Sequence, residues 1–205
     1  MLFRSLPLFS PSNSSPACES NPAEILAIYR EEIRFCEKCS LHIGREKLVF
    51  GRGHVAAKIA FVGDFPSQLD DKSGEPFSGK DGALLDKMIT AMKIRPEESY
   101  LTQVFKCRPP ARENPGQSHM DACSTHLKFQ FSKILAPVII AMGELSAQYF
   151  ARSDAPLPIL RKQVFSWEGR KVIPTHHPRD LHESPAKKKE AWEDLQFAMR
   201  ELERQ

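Results

Sequence analysis

Four short, largely apolar runs constrain this chain more than any other feature. They are Lys58-Ile-Ala-Phe-Val-Gly63, Tyr100-Leu-Thr-Gln-Val-Phe105, Pro137-Val-Ile-Ile-Ala-Met142 and Lys171-Val-Ile-Pro-Thr175. Each is too short for a helix and lacks the polar alternation of a strand with one wet face, so each reads as a strand buried on both sides. Stretches with helical spacing separate them. Ile25, Ile28, Tyr29 and Ile33 lead into Cys36, and Leu84, Leu85, Met88, Ile89 and Met92 share one face. Gln117 to Leu135 reads as a helix, a shorter one follows Gly143 to Phe150, and Pro185 to Leu202 closes the chain with Trp192, Leu195, Met199 and Leu202 on one side. Strands alternating with helices predict an α/β domain whose parallel sheet is covered on both faces. Phe65 to Gly82, with Pro66, Gly74, Pro76, Gly79 and Gly82, reads as one long loop.

At 205 residues the chain fits one domain, and 41% hydrophobic content excludes wholesale disorder. Residues 1–22, rich in Ser and Pro and without periodicity, read as a flexible leader, with an organellar transit peptide as the other reading; residues 23–205 read as the domain. The longest apolar stretch, Ile134 to Met142, contains Pro137 and is far short of the ~20 residues of a membrane span, so no membrane partner is expected. Lys plus Arg is 29 against 26 for Asp plus Glu, a net +3 that permits nucleic-acid binding without demanding it.

Five cysteines, at 18, 36, 39, 107 and 123, are too few for a disulfide scaffold and odd in number. Cys18 lies in the leader. The others form C-x2-C and C-x15-C pairs, a set that can share one metal, because two thiolates two residues apart reach the same ion. A reduced set of core thiols is the alternative, and spacing does not separate zinc from an iron–sulfur cluster.

In parallel sheets ligands bind beyond the carboxyl ends of the strands, and three loops there carry unusual content: the segment from Gly63 to Asp71, the segment from Lys106 to Arg112, and the segment from His176 to Leu181. Together with Cys36-Glu-Lys-Cys39, Val49-Phe-Gly-Arg-Gly53, Gly63-Asp-Phe-Pro-Ser67, Gly74-Glu-Pro-Phe-Ser-Gly79, Lys106-Cys-Arg-Pro-Pro110 and Thr175-His-His-Pro178, in this order, the chain resembles the iron–sulfur uracil-DNA glycosylases, the family 4 branch of the uracil-DNA glycosylase superfamily. The resemblance runs from about residue 24 to the C-terminus. It implies a three-layer α/β/α fold with a central four-stranded parallel sheet. It also implies a 4Fe–4S cluster on Cys36, Cys39, Cys107 and Cys123, favours iron–sulfur over zinc, and places the protein in the reducing cytoplasm as a monomer.

The implied reaction is hydrolysis of the bond between deoxyribose and uracil, or a related deaminated base, in DNA, after the base is flipped from the stack. By resemblance Phe77 stacks on the base, Gln103 reads its edge, His177 stabilises the departing anion and Asp64 helps to place water, while His176 supports His177. Gly63, Phe65 and Asp70 complete the pocket. Leu181 is the residue expected to wedge into the duplex. Lys106, Arg108 and Arg112, with no acid among them, are expected to face the phosphates, as is a second basic group of Arg161, Lys162, Arg170 and Lys171; Lys187 to Lys189 reads as a solvated helix face.

Four positions depart from the family pattern. Asp64 stands where the family has Glu, Phe65 where it has a very small residue, and Gln103 where it has Asn; Asp70 likewise replaces Glu. Polarity is kept while reach changes, and two readings follow. One is an active glycosylase; the other is a noncatalytic or strongly attenuated iron–sulfur DNA-binding module of the same fold, whose pocket has closed around Phe65. A zinc-stabilised nucleotide-binding α/β protein is the third.

Overall fold

The computed structural model describes residues 21–110 and 115–204. Residues 1–20 of the expected leader, including Cys18, and Arg112 lie outside the described residues, while Asn21 and Pro22 belong to the first helix. Helix α1 (Pro22–Glu32) starts with Asn21 accepting the Ala23 N–H and ends in a 3-10 turn that delivers Cys36. Then come β1 (Arg52–Gly53), β2 (Ile59–Gly63), α2 (Gln68–Ser73), α3 (Gly79–Ala91), β3 (Ser99–Gln103) and α4 (Gln117–Phe131). The second half holds β4 (Val138–Met142), α5 (Glu144–Ala151), α6 (Leu157–Leu160), β5 (Phe165–Trp167), β6 (Arg170–Thr175), α7 (Pro178–Glu183) and α8 (Pro185–Glu203).

The strands form one sheet in the order β1-β3-β2-β4-β6-β5. The four expected strands, β3, β2, β4 and β6, are mutually parallel. The expected four-stranded sheet is enlarged by two short antiparallel edges, β1 on β3 and β5 on β6, giving a mixed sheet of six strands. Every residue of β2 and β4 is buried, which is why both read as unbroken apolar runs.

Alternation along the strands sends Ala60, Val62, Ile139, Ala141 and Val172 into one core and Ile59, Phe61, Val138, Ile140 and Ile173 into another. The first core packs under α1, α4 and α5 and contains Cys107 and Cys123; the second packs under α3, α7 and α8 and contains Phe77. This is the expected three-layer α/β/α architecture. Among the described residues no helix is long and apolar enough to cross a membrane.

The segment read as one long loop is different. It contains α2, closed by a reciprocal capping box in which the Asp70 N–H donates to Ser67 Oγ and the Ser67 N–H donates to Asp70 Oδ2. Helix α3 begins at Gly79, five residues before the first of its apolar positions in the sequence pattern. Gly82 stands inside it because a Cβ there would meet the Phe77 carbonyl oxygen at 1.7 Å. The glycine that looked like a loop residue is a helical residue that lets α3 press onto the turn before it.

Candidate active site

The carboxyl ends of β2, β3, β4 and β6 gather the residues that can do chemistry. Gly63 ends β2 beside Gln103, the end of β3, and Gly143 follows β4 beside Thr175, the end of β6. A Cβ on Gly63 would stand 2.9 Å from Phe77 Cζ and 3.4 Å from Gln103 Cγ, so only glycine lets the aromatic ring and the amide close on this strand end. Phe77 is held at φ 55, a region that non-glycine residues rarely adopt and that clusters at functional sites. Its ring lies nearly parallel to the imidazole of His177, at 21° with centroids 5.6 Å apart.

His177 is the N-cap of α7. Its Nδ1 accepts the Arg179 N–H at 3.1 Å, which leaves the ring proton on Nε2. That Nε2 is buried and has no hydrogen-bond partner among the described residues. Burial, with a smaller effect from the Arg179 charge, pushes the imidazole down to about 3, so it is neutral at ordinary pH and presents one unspent N–H.

Gln103 faces it with the opposite polarity. Its Nε2 donates to Asp70 Oδ2 at 3.1 Å, which fixes the amide orientation, and its buried Oε1 has no partner. Asp70 is otherwise spent: Oδ1 accepts the Ser78 N–H at 2.6 Å, and Oδ2 also closes the capping box of α2. It is therefore a brace for Gln103 and for the turn after Phe77. The site thus offers an aromatic face, one fixed acceptor and one fixed donor, a set that fits a flat heterocycle carrying both an N–H and a carbonyl.

Asp64 follows β2 and is partly buried. Its Oδ1 accepts the Ser146 N–H at 2.7 Å, in the first turn of α5, while the Ser146 hydroxyl donates to the Val62 carbonyl at 2.7 Å. Gly143, at φ 107, leaves room for the carboxylate, since a Cβ there would fall 2.3 Å from Oδ2. Desolvation pushes the carboxyl up to about 7, against the opposing pull of the Ser146 N–H and of Arg179. Neither Ser146 nor Arg179 stood out in the sequence, because each is defined by a contact made across the fold.

Cys36, Cys39, Cys107 and Cys123 are all free and line a single cavity. Among the described residues, no three His, Cys, Asp or Glu side chains already stand at metal-holding spacing. The donor chemistry nevertheless fits a soft metal group: four thiols and no carboxylate line that cavity. Arg45 Nη1 donates to Cys107 Sγ at 3.2 Å and to the Cys36 carbonyl at 2.6 Å, and the Lys106 N–H donates to Cys123 Sγ at 3.3 Å. His126 bridges Tyr29 Oη, at 2.7 Å, and Cys36 Sγ, at 3.3 Å. Burial pushes the Cys123 thiol up to about 12, so a metal that binds here displaces protons. Arg45 and His126 carried no sequence signal beyond their lying near cysteines.

Several expectations fail. Lys106 does not face phosphates: it is 1% exposed, and its Nζ donates to Thr102 Oγ1 at 2.6 Å, to the Gln103 carbonyl at 2.7 Å and to the Phe50 carbonyl at 3.3 Å. Burial holds its amine down to about 7. Arg108 is paired with the buried carboxylate of Asp71 at 3.3 Å. In the second basic group Arg161 is clamped by Glu190 and Asp194, Lys171 pairs with Glu201, and Arg170 donates to the carbonyls of Phe131, Ile134 and Ala136; only Lys162 stands exposed and outside any ion pair among the described residues. Leu181 is 2% exposed within the core that contains Phe77, so it does not project toward a duplex. Phe65 packs its ring against the other core, with the Arg179 guanidinium 5.5 Å from its centroid. His176 is buried, and its Nε2 meets Glu190 Oε2 at 2.6 Å.

Residues 50–196 match the family model described as the uracil DNA glycosylase superfamily. The chain is also similar to the type-4 uracil-DNA glycosylase of Thermotoga maritima, 36% identical over 77% of this chain and 83% of that protein. It is 34% identical to the type-4 uracil-DNA glycosylase of Archaeoglobus fulgidus over 80% of this chain and 86% of the relative. With the protein of the same name from Sulfurisphaera tokodaii it shares 32% identity over 84% of this chain and 82% of the relative.

Proposed function

The chain belongs to the uracil DNA glycosylase superfamily, and from that premise we propose that it releases uracil from DNA by hydrolysing the bond between uracil N1 and deoxyribose C1′. The observation that carries this reading is the pair of buried, unpartnered polar atoms, Gln103 Oε1 and His177 Nε2, around one aromatic ring. A flipped uracil answers both. Stacked on Phe77, it gives its N3–H to Gln103 Oε1. Because Asp70 holds the amide nitrogen, the acceptor cannot be exchanged for a donor by an amide flip. Cytosine, which has an acceptor at N3, is refused by the same atom.

As the glycosidic bond stretches, negative charge gathers on the base, and the neutral His177 Nε2–H stabilises it at O2. Asp64, ionised above about pH 7, orients water toward C1′. The noncatalytic reading is not favoured, since relatives 32–36% identical over most of this chain carry the name type-4 uracil-DNA glycosylase. The partner is DNA carrying uracil or another deaminated base. The enzyme acts as a monomer in the cytoplasm, where reducing conditions keep cysteines available.

Cys36, Cys39, Cys107 and Cys123 would hold a 4Fe–4S cluster. Bound there, the cluster supplies a structural crosslink between α1, the loop after β3 and α4. The protein purified without air is expected to contain iron and sulfide at about four each per chain. Cys123→Ala should lose both and unfold at a lower temperature; a colourless protein containing zinc alone would remove the cluster from this reading.

The activity itself is tested by incubating the protein with single- and double-stranded oligonucleotides containing uracil, hypoxanthine or xanthine, followed by alkali. Strand cleavage at uracil is the expected result. No cleavage at any of the three, at high enzyme concentration, rejects the assignment.

A further inference from the structure

A base that leaves a duplex opens a gap, and enzymes that hold such gaps open fill them with an apolar wedge. Leu181 is not available for this, because it is buried in the core that also contains Phe77. We propose that Leu69 is the wedge, a residue with no part in the pocket as described. The inference rests on the uracil-release reading and adds to it the means of handling paired DNA.

Leu69 is 54% exposed on the first turn of α2. Of the large exposed apolar side chains among the described residues, it alone sits next to a pocket brace: its neighbour Asp70 bonds Gln103 on one side and Ser78 on the other. Its Cδ1 rests on Gly79, where a Cβ would come within 2.5 Å. The isobutyl group is therefore laid across the turn that follows Phe77, at the rim of the site.

The helix that presents it is rigid despite its length. The Ser67–Asp70 capping box closes its first turn, and the Gly74 N–H closes its end on the Asp70 carbonyl. A wedge has to hold its position against restacking of the bases, and this mounting provides that. The surrounding charge suits a duplex. Lys72, one turn along the same face of α2, and Lys80, next to Gly79, are exposed and in no ion pair among the described residues. Such cations can meet the phosphates on either side of the gap. Arg108, by contrast, is held by Asp71.

The test compares Leu69→Ala, Leu69→Met and the unaltered protein on one uracil-containing sequence, as a single strand and paired opposite adenine. The wedge predicts that the ratio of duplex to single-strand kcat/KM falls about tenfold in Leu69→Ala, because only the paired substrate pays for unstacking. Leu69→Met, which keeps apolar reach, should hold that ratio within about twofold of the unaltered protein. With 2-aminopurine beside the uracil, the fluorescence rise on binding should shrink in Leu69→Ala. Equal losses on both substrates would mean that Leu69 only supports α2, and no loss on either would mean that it is idle; either result overturns the proposal. If the unaltered protein releases no uracil even from the single strand, the failure lies in the uracil-release reading and not in the wedge.

Discussion

Replacing His177 by Ala is expected to lower kcat for uracil release by about 10²–10³-fold, the usual consequence of removing one donor aimed at developing negative charge. The loss should appear in kcat far more than in KM, since the Nε2–H gains most when the base is leaving and not when it arrives. His177 also caps α7 through Nδ1, so the Ala variant additionally loses about 1 kcal/mol of helix capping. His177→Asn separates the two effects. Asn is a good N-cap residue, so stability should recover, while its short amide cannot reach the position of Nε2 and activity should not. Single-turnover kinetics beside thermal unfolding would resolve them. A His177→Asn enzyme with near-normal kcat would remove the imidazole from the chemistry.

The second large effect belongs to Asp64. With its carboxyl pushed up to about 7, it is mostly protonated at pH 6 and mostly ionised at pH 8. If the ionised form orients water, kcat/KM should rise about tenfold per pH unit below 7 and level off above it. The His177 imidazole, held down near 3, is neutral across this window and should contribute no limb of its own. Asp64→Asn keeps an oxygen for the Ser146 N–H, so α5 stays tied to β2 and the protein should fold normally. Its kcat should nevertheless drop by about 10²–10⁴-fold, and the ascending limb near pH 7 should vanish. A variant that retained the limb would show that another group titrates.

The parallel core was legible because burial on both faces leaves a strand no polar positions, and β2 and β4 are buried along their whole length. The edges were not. β1 is two residues long and β5 three, below any periodicity, and both are defined by the partner they pair with. The glycines of 74 to 82 misled for a different reason: Gly82 serves close packing on the Phe77 carbonyl, and sequence does not distinguish that from chain freedom.

At the site, Phe77, Gln103 and His177 could be found from their motifs, and the fold brings them together. What could not be read was which charges were spoken for. Lys106 and Arg108 look like free cations beside Cys107, yet one is sunk among carbonyls and the other answers Asp71, far away in the chain. A run of basic residues records charge; whether that charge reaches solvent depends on partners that only the fold supplies.

The two edge strands decide how this molecule can meet others. An exposed sheet border is a template on which a neighbouring chain can lay a strand, and proteins that leave long borders tend to associate through them. Here each border ends in a stub: β1 runs into Gly53 at φ 127, and β5 turns back into β6 after three residues. Neither gives an incoming chain enough backbone to grip. Growth by strand addition is discouraged on both sides, which leaves recognition to the helices and loops above the sheet.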